Sequence, residues 1–562
     1  MRPALVAAPC ARLAIAALGA LCVLPALAGA ADLKACAAGV RCGSVTVPLV
    51  ASDPAAGTLA VGYEVAAHRG GGKARDTVVV TAGDDGAPTT ADRTAILALL
   101  DPLRARDDIV LVDARGTGRS GTVGNRRDAY GAGAAAGDLD AVRAALGIGH
   151  IELYGAGDGA RIALAYAARH ADRLRALVLD GGPRATLFSG DGSGEAHALA
   201  KALGRAQPVI ARLAARLRTK PLHAHGRIDD DALARVAASG DAETLTELPG
   251  AATAALLGDP VPLARLVAAA TPAAGDAAAA RAALCQDDAT PAPTAQVDGG
   301  PFTGATWRRA LGLTACKGWP APATPDPALP AGAPLGNEPA LVLGGELDVR
   351  SPASALRKVA ALLPNGAFIF VRGAGSLPAL SDPSGCAATI AVTFLRTRGH
   401  ASNGCAGHAV RPLGVTEFPA TMGAANAALR DAKAHGRDRS TLADRRAATV
   451  AALGVADALD SAEAPSAPAS IRGLRGGTAT VARHGTTTTL QLHGMRFVRD
   501  AAIDGLVTHD SKTGSVFATL TLRAADGTRA FVLTWSTNQA RGYAAARGSA
   551  NGRPLILVLR AP

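Results

Sequence analysis

The chain has 562 residues, of which 49% are hydrophobic and 19% are charged. This balance excludes an intrinsically disordered chain, and the length predicts about three domains at roughly 100–200 residues each. The formal net charge is +11, but the sequence contains no Lys/Arg run with interleaved aromatic residues. We therefore expect no nucleic-acid partner, because arginines scattered along Ala-rich stretches are typical of solvated helix faces.

Residues 1–30 have the pattern of a secretory signal peptide. Arg2 and Arg12 supply the positive start, Leu13–Leu27 supplies an apolar stretch, and Ala28–Ala30 fits a small-residue cleavage site. The apolar stretch is short for a membrane anchor. We therefore expect an exported protein, periplasmic or secreted, with no membrane span in the mature chain.

Six cysteines follow the predicted signal peptide, an even number that is typical of disulfide-bonded exported proteins. Several pairings are possible, and spacing alone does not choose among them. Order along the chain favours three local pairs, which are Cys36–Cys42, Cys285–Cys316 and Cys386–Cys405. A zinc site is the alternative, but no CxxC or HxxxH pattern accompanies these cysteines, so we expect neither a metal nor another cofactor.

Residues 36–184 alternate between short apolar strands and helices. Two antiparallel strands are predicted first, followed by four further strands and two helices. The strands are 44–50, 58–68, 77–81, 109–113, 151–154 and 176–179, and the helices are 135–146 and 159–170. Continuous apolar strands separated by helices predict the α/β class, with a mostly parallel sheet that is covered on both faces.

The strand pattern stops at residue 185 and returns later in the chain. Residues 185–335 are Ala-rich with Pro-rich joints, and strands reappear at 340–343 and 367–371 within 336–405. A helical insertion between two halves of one parallel sheet predicts a lid over the carboxyl edge of the sheet, where ligands of such sheets bind.

The last segments differ in composition from the rest. Residues 406–468 predict a helical connector that ends in a Pro/Ala linker. Residues 470–562 alternate between apolar and polar types and predict a small antiparallel β domain, with a hairpin turn at Asp526-Gly527. Adhesion, substrate docking and structural support are all open as functions of this domain.

Six stretches carry motifs in a characteristic order. They are 109–121 (IVLVDARGTGRSG), 151–181, 285–288 (CQDD), 316–320 (CKGWP), 340–352 (ALVLGGELDVRSP) and 367–379 (AFIFVRGAGSLPA). Together they resemble the α/β-hydrolases of the prolyl iminopeptidase and tripeptidyl aminopeptidase type. The resemblance covers about residues 36–405 and implies an α/β-hydrolase fold, with a helical lid and a Ser-His-Asp triad.

The triad positions depart from that family. The nucleophile elbow reads Gly155-Ala156-Gly157-Asp158-Gly159, so Gly157 stands where the serine belongs. The acid position is retained as Asp348, although an Asp at a strand end also caps helices. Ser376 stands where the histidine belongs, and a serine hydroxyl cannot act as the general base. The next histidines along the chain, His400 and His408, lie beyond a predicted helix.

The oxyanion loop also departs from the family pattern. Where the family has Gly-Gly-Pro-Gly, this chain has Ala82-Gly83-Asp84-Asp85-Gly86. Carboxylates of Asp84, Asp85 and Asp158 near an oxyanion hole would oppose the negative charge that the hole stabilises. Alternatively, these aspartates simply cap turns or helices. Together with Asp348 they would favour an amine or a peptide N-terminus as ligand.

Three functions remain open at this stage. The first is a non-catalytic pseudo-hydrolase that binds a ligand or partner. The second is an active aminopeptidase or esterase with relocated catalytic residues, which includes aspartyl-ester chemistry if the elbow shifts by one residue and presents Asp158. The third is a structural role led by the β domain.

Overall fold

The computed structural model describes most of the chain after the predicted signal peptide. It covers residues 33–560, except for 84–85, 125, 127–128, 185–191, 225, 271–276, 288–299, 317–318, 320–325, 331, 334, 383–384, 400–403, 406–414, 426–433, 464–466 and 538–542. The predicted signal peptide, Asp84, Asp85, His400 and His408 therefore lie outside the described residues.

Eleven strands occur among the described residues before position 400. They are β1 (Lys34–Ala37), β2 (Val40–Val50), β3 (Asp53–Ala66), β4 (Thr77–Thr81), β5 (Asp108–Val112), β6 (Ile151–Ala156), β7 (Leu174–Asp180), β8 (Leu222–His223), β9 (Arg227–Ile228), β10 (Ala340–Gly345) and β11 (Gly366–Val371). All except β8 and β9 form one sheet in the order β1-β2-β3-β5-β4-β6-β7-β10-β11. The first four strands of that order pair antiparallel and the remaining pairs are parallel.

Helices cover both faces of this sheet and fill the insertion. They are α1 (Arg93–Leu99), α2 (Ala132–Ala145), α3 (Asp158–Arg169), α4 (Ser193–Leu203), α5 (Gln207–Thr219), α6 (Asp230–Ala237), α7 (Ala242–Leu256), α8 (Val261–Ala269), α9 (Ala277–Ala282), α10 (Gly304–Ala310), α11 (Ala353–Leu362), α12 (Pro378–Ser381) and α13 (Cys386–Thr397). Strands β4 and β6 are buried along their whole length, as expected for parallel strands under two helical layers. The prediction of a mostly parallel α/β sheet is confirmed.

Helices α4 to α10 lie between β7 and β10 and therefore interrupt the parallel sheet. Their ends follow local capping chemistry, because Asp229, Asp241 and Thr303 accept hydrogen bonds from backbone N–H groups in the first turns of α6, α7 and α10. A π-helical turn (Ala283–Asp287) follows α9 directly. The turn between α6 and α7 contacts the loop after β11, because the Gly240 carbonyl oxygen accepts a hydrogen bond from the Ser376 N–H.

A long helix and a second sheet complete the chain. Helix α14 (Leu442–Glu463) precedes the antiparallel meander of β12 (Ser470–Arg472), β13 (Thr478–His484), β14 (Thr487–Met495), β15 (Ala501–Asp510), β16 (Ser515–Ala524), β17 (Gly527–Ser536), β18 (Tyr543–Ala550) and β19 (Arg553–Arg560). The β16–β17 hairpin pairs Ala524 with Gly527, so the turn is Ala525-Asp526, one residue before the predicted position.

Helix α14 is more than a connector, because most of its 22 residues are buried. A Cβ atom added at Gly454 would lie 2.7 Å from Ile503 Cδ1, so the helix backbone packs closely on β15. One hydrophobic cluster includes Leu248 and Leu263 of the lid helices, Val455 of α14 and Ile503. The insertion and the C-terminal sheet therefore share a core through α14.

Disulfides join Cys36 to Cys42, Cys285 to Cys316 and Cys386 to Cys405, which are the pairs that chain order favours. Among the described residues, only Cys36, Cys42 and Glu64 bring three potential metal-ligand atoms together, and the two sulfurs are bonded to each other. Within the same residues, no helix has both the length and the apolar character needed to cross a membrane.

Candidate functional site

The turn between β6 and α3 has the shape of a nucleophile elbow. Gly157 lies alone between the strand and the helix, with φ 58° and ψ −126°, a conformation that an L side chain rarely adopts. A Cβ atom at Gly155 would lie 2.9 Å from Ala160 Cα, and one at Gly159 would lie 2.1 Å from the Thr81 carbonyl oxygen. Close backbone packing therefore requires the small residues on both sides of the tip.

The tip of this turn carries no reactive side chain, because it is Gly157. Asp158 is the first residue of α3, and its carboxylate lies 3.8 Å from the Arg184 guanidinium. The strained backbone conformation falls on Gly157 and not on Asp158. The observed turn therefore does not support the alternative elbow that would present Asp158 as the nucleophile.

The backbone donor expected in an oxyanion hole is already engaged. The N–H of Asp158, the residue after the tip, donates a hydrogen bond to the carbonyl oxygen of Gly83 at 2.9 Å. Gly83 has φ 127°, and a Cβ atom there would lie 2.2 Å from the Ala87 carbonyl oxygen. In an active hydrolase, the N–H at this position points at the developing oxyanion. In this chain, the Asp158 N–H is bonded to the Gly83 carbonyl oxygen instead.

Asp348 lies in the turn between β10 and α11. It is 2% exposed, and its Oδ1 atom accepts a hydrogen bond from the Ser351 N–H at 2.8 Å. The Ser351 hydroxyl in turn donates to the Gly182 carbonyl oxygen at 2.7 Å. At this position the carboxylate caps the turn before α11.

Ser376 lies in the loop after β11, under the lid. Its N–H donates to the carbonyl oxygen of Gly240, in the turn between α6 and α7, at 3.0 Å. A Cβ atom at Gly240 would lie 3.4 Å from both Ser376 Cβ and Arg350 Cγ. Three segments therefore meet at this point. They are the lid turn at Gly240, Arg350 in the loop that begins at Asp348, and Ser376 at the position expected for histidine.

The histidines of the parallel sheet lie at its other edge. His68 bonds to Asp108 at the start of β5, His150 precedes β6, and His170 follows α3. Gly157 and Ser376 follow the carboxyl ends of β6 and β11. None of these three imidazoles is therefore placed to act as a base at the elbow.

A small cavity of about 60 Å³ lies beside the elbow, between Gly83, Asp158 and Arg161 on one side and Asp287 on the other. The Arg161 guanidinium lies 2.9 Å from Asp287, and the Ala132 N–H donates to the same carboxylate at 3.0 Å. Burial raises the pKa of Asp287 to about 6, although Arg161 opposes the shift. The CQDD motif (residues 285–288) resembles a lid motif in sequence, but nothing in that pattern places Asp287 at the cavity.

Asp180, at the end of β7, is a second buried carboxylate that the sequence pattern does not mark as part of the site. It is fully buried, and it accepts hydrogen bonds from the Tyr154 hydroxyl at 2.7 Å and from the N–H groups of Ala379 and Leu380 at 2.8 and 3.1 Å. Burial raises the pKa of Asp180 to about 6. By fixing the first turn of α12, this carboxylate holds the loop that carries Ser376.

A family model described as the alpha/beta hydrolase fold matches residues 90–383. No curated protein matches the chain. Similar solved structures include an esterase from Thermogutta terrifontis, with 20% identity over 64% of this chain and 99% of that chain and a TM-score of 0.33. Another is the proline iminopeptidase of Mycobacterium smegmatis, with 16% identity over 63% of this chain and 98% of that chain and a TM-score of 0.33. Similarity at this level does not inform on activity.

Proposed function

Because the chain belongs to the alpha/beta hydrolase fold family, we propose that it is an exported, peptidase-like member that has lost acyl-enzyme catalysis and binds a ligand or partner. The observation that carries this proposal is Gly157 at the tip of the elbow. In a serine hydrolase, removing the serine or the histidine alone lowers kcat roughly a million-fold, equivalent to about 8 kcal/mol.

Two further features support the loss of catalysis. Ser376 occupies the position expected for histidine and cannot accept a proton near neutral pH. The Asp158 N–H, which would stabilise an oxyanion, already donates to Gly83. Nucleophile, base and oxyanion donor are therefore all compromised together, which is what a binding function tolerates and catalysis does not.

Export is supported by the predicted signal sequence and by the disulfides. Three disulfides are the expected bonding state in an oxidising compartment such as the periplasm or the cell exterior. A chain kept in a reducing compartment would hold these cysteines as thiols. Fractionation of the native host, with the mature N-terminus determined by mass spectrometry, tests the predicted cleavage after residue 30.

The test of lost catalysis uses the purified chain with a fluorophosphonate probe and with aminoacyl and ester chromogens. We expect no labelling and no hydrolysis above background, and an active serine hydrolase serves as the positive control for the reagents. Labelling of the native chain at a serine, mapped by peptide mass spectrometry, would overturn the proposal in favour of an active hydrolase with relocated residues.

The proposed ligand class is an amine or a peptide N-terminus, because the carboxylates of Asp158 and Asp287 line the cavity beside the elbow. Titration calorimetry with a short peptide and its N-acetylated form tests this class directly. Tighter binding of the free amine is expected. Equal affinity of the two forms would eliminate the amine as the recognised group without bearing on catalysis.

A further inference from the structure

A group of acidic side chains is buried where α14 packs against the lid. Glu247 lies on α7, and Asp457 and Asp460 lie on α14. The cation among them is Arg265 of α8, which donates to Glu247 at 3.0 Å and also pairs with Asp457. Glu243, at the start of α7, adds a fourth carboxyl group, whereas Arg265 pairs only with Glu247 and Asp457 among these four.

Asp460 is the exceptional member of this group. It is 9% exposed, and neither oxygen of its carboxyl group has a hydrogen-bond partner within the described structure. An ionised carboxylate buried without a partner is strongly unfavourable, so this group retains its proton. Burial raises the pKa of Asp460 well above its ordinary value, and Glu243, Glu247 and Asp457 raise it further against the opposing effect of Arg265.

The two glutamates of α7 are also shifted toward the protonated form. Burial raises the pKa of Glu243 to about 8, and the negative charges of Asp241, Glu247 and Glu463 add to the shift. Burial raises the pKa of Glu247 to about 7, with Asp457 adding and Arg265 opposing.

The C-terminal sheet contributes charges at one end of this group. His509 of β15 bonds to Glu463 at 3.1 Å, and Arg483 of β13 lies close enough to act on the same carboxylate. Burial would raise the pKa of Glu463, but hydrogen bonds from His509 and Thr488 hold it below its ordinary value. Glu463 is therefore ionised and paired, in contrast to Asp460.

We propose that protons retained by Glu243, Glu247 and Asp460 hold lid helix α7 against α14, and that their loss at alkaline pH loosens the lid. The turn before α7 contacts the candidate site, because the Gly240 carbonyl oxygen accepts the Ser376 N–H at 3.0 Å. Loosening of α7 would therefore reach the loop over the elbow.

The sign of the pH effect follows from linkage. The carboxyl groups bind protons more tightly in the folded chain than in the unfolded chain, so the folded state is favoured at acidic pH. That advantage is lost progressively as pH rises from about 4.5 through the folded-state pKa values of about 7 and about 8. Stability and lid closure should both decline over this window.

The experiment measures Tm and hydrogen exchange of the full chain from pH 5 to pH 9. In the native chain we expect amides of α7 and α14 to exchange faster at pH 9 than at pH 6, after correction for the intrinsic pH dependence of exchange. Asp460→Asn keeps the shape without the charge, and it should reduce the decline of Tm by about 2–4 °C. Asp444→Asn on the same helix is the control, because its carboxylate is paired with Thr441 and Arg529 and should leave the decline unchanged.

Two results would overturn the proposal. The first is an Asp460→Asn chain whose Tm declines with pH as steeply as that of the native chain. The second is a rise of Tm at pH 9 on adding calcium, reversed by a chelator and absent in Asp460→Asn, since a cation rather than protons would then hold the interface. If Asp460→Asn does not fold, unchanged α7 exchange in the native chain between pH 6 and pH 9 is sufficient to reject the idea.

Discussion

The elbow and the lid–α14 contact are both tightly packed, but they are stabilised in different ways. At the elbow, Gly155 and Gly159 allow backbone atoms to approach so closely that no Cβ atom fits. At the lid–α14 contact, Arg265, Glu247 and Asp457 bury charges that must be paired or protonated. Close backbone packing sets the shape of the elbow, whereas the stability of the second contact depends on which of its carboxyl groups are protonated.

Replacing Arg265 by Met should have the largest effect of the substitutions that separate the two regions. It leaves Glu247 and Asp457 buried without their cation, which costs about 3–5 kcal/mol of the free energy of unfolding. The loss should be smaller at pH 5 than at pH 8, since protonation relieves the uncompensated charge. Urea denaturation at the two pH values measures it, and equal losses would mean that burial rather than ionisation dominates this contact.

Replacing Gly159 by Ala should cost about 3 kcal/mol at any pH, because the added Cβ atom would lie 2.1 Å from the Thr81 carbonyl oxygen and force the backbone apart. The matched control is Gly137→Ala in α2, where nothing lies within 4 Å and helix propensity favours alanine. Thermal denaturation of both variants provides the measurement. If Gly159→Ala unfolds at the same temperature as the native chain, the backbone at the elbow can move apart at little cost.

Replacing Gly157 by Ser should have the smallest effect on stability, about 1–2 kcal/mol, because it places an L residue in a backbone conformation that such residues rarely adopt. The added hydroxyl should remain unreactive toward a fluorophosphonate, since the described histidines of the parallel sheet, His68, His150 and His170, lie at its other edge. Gel fluorescence after probe treatment checks this expectation. Rapid labelling of Gly157→Ser would reveal a base supplied from elsewhere in the chain.

The parallel sheet could be predicted well because its strands are continuous apolar runs. The predicted strand at 77–81 coincides with β4, and the one at 151–154 falls within β6 (Ile151–Ala156). The burial of α14 could not be predicted, since Arg445 and Asp457 are typical of a solvated helix until partners distant in sequence are known. Charged residues carry no local signal of whether they are paired.

Some residues of the candidate site could be predicted from the sequence, and others could not. Gly157 and Ser376 could be located because motif order along the chain fixes the ends of β6 and β11. The pairing of Arg161 with Asp287 could not, because one residue lies on α3 and the other follows a lid helix. Asp180 resembles any aspartate at a strand end, and only the fold brings the N–H groups of Ala379 and Leu380 to it.

The hydrogen bond from the Asp158 N–H to the Gly83 carbonyl oxygen has a consequence for any attempt to design serine-hydrolase activity into this chain. A serine introduced at position 157 and a histidine introduced at position 376 would supply a nucleophile and a general base, yet the N–H that would stabilise the tetrahedral adduct would still be bonded to the Gly83 carbonyl oxygen. A boronic acid, which mimics that adduct, should therefore bind poorly even to the reconstructed enzyme until the loop at Gly83 is rebuilt.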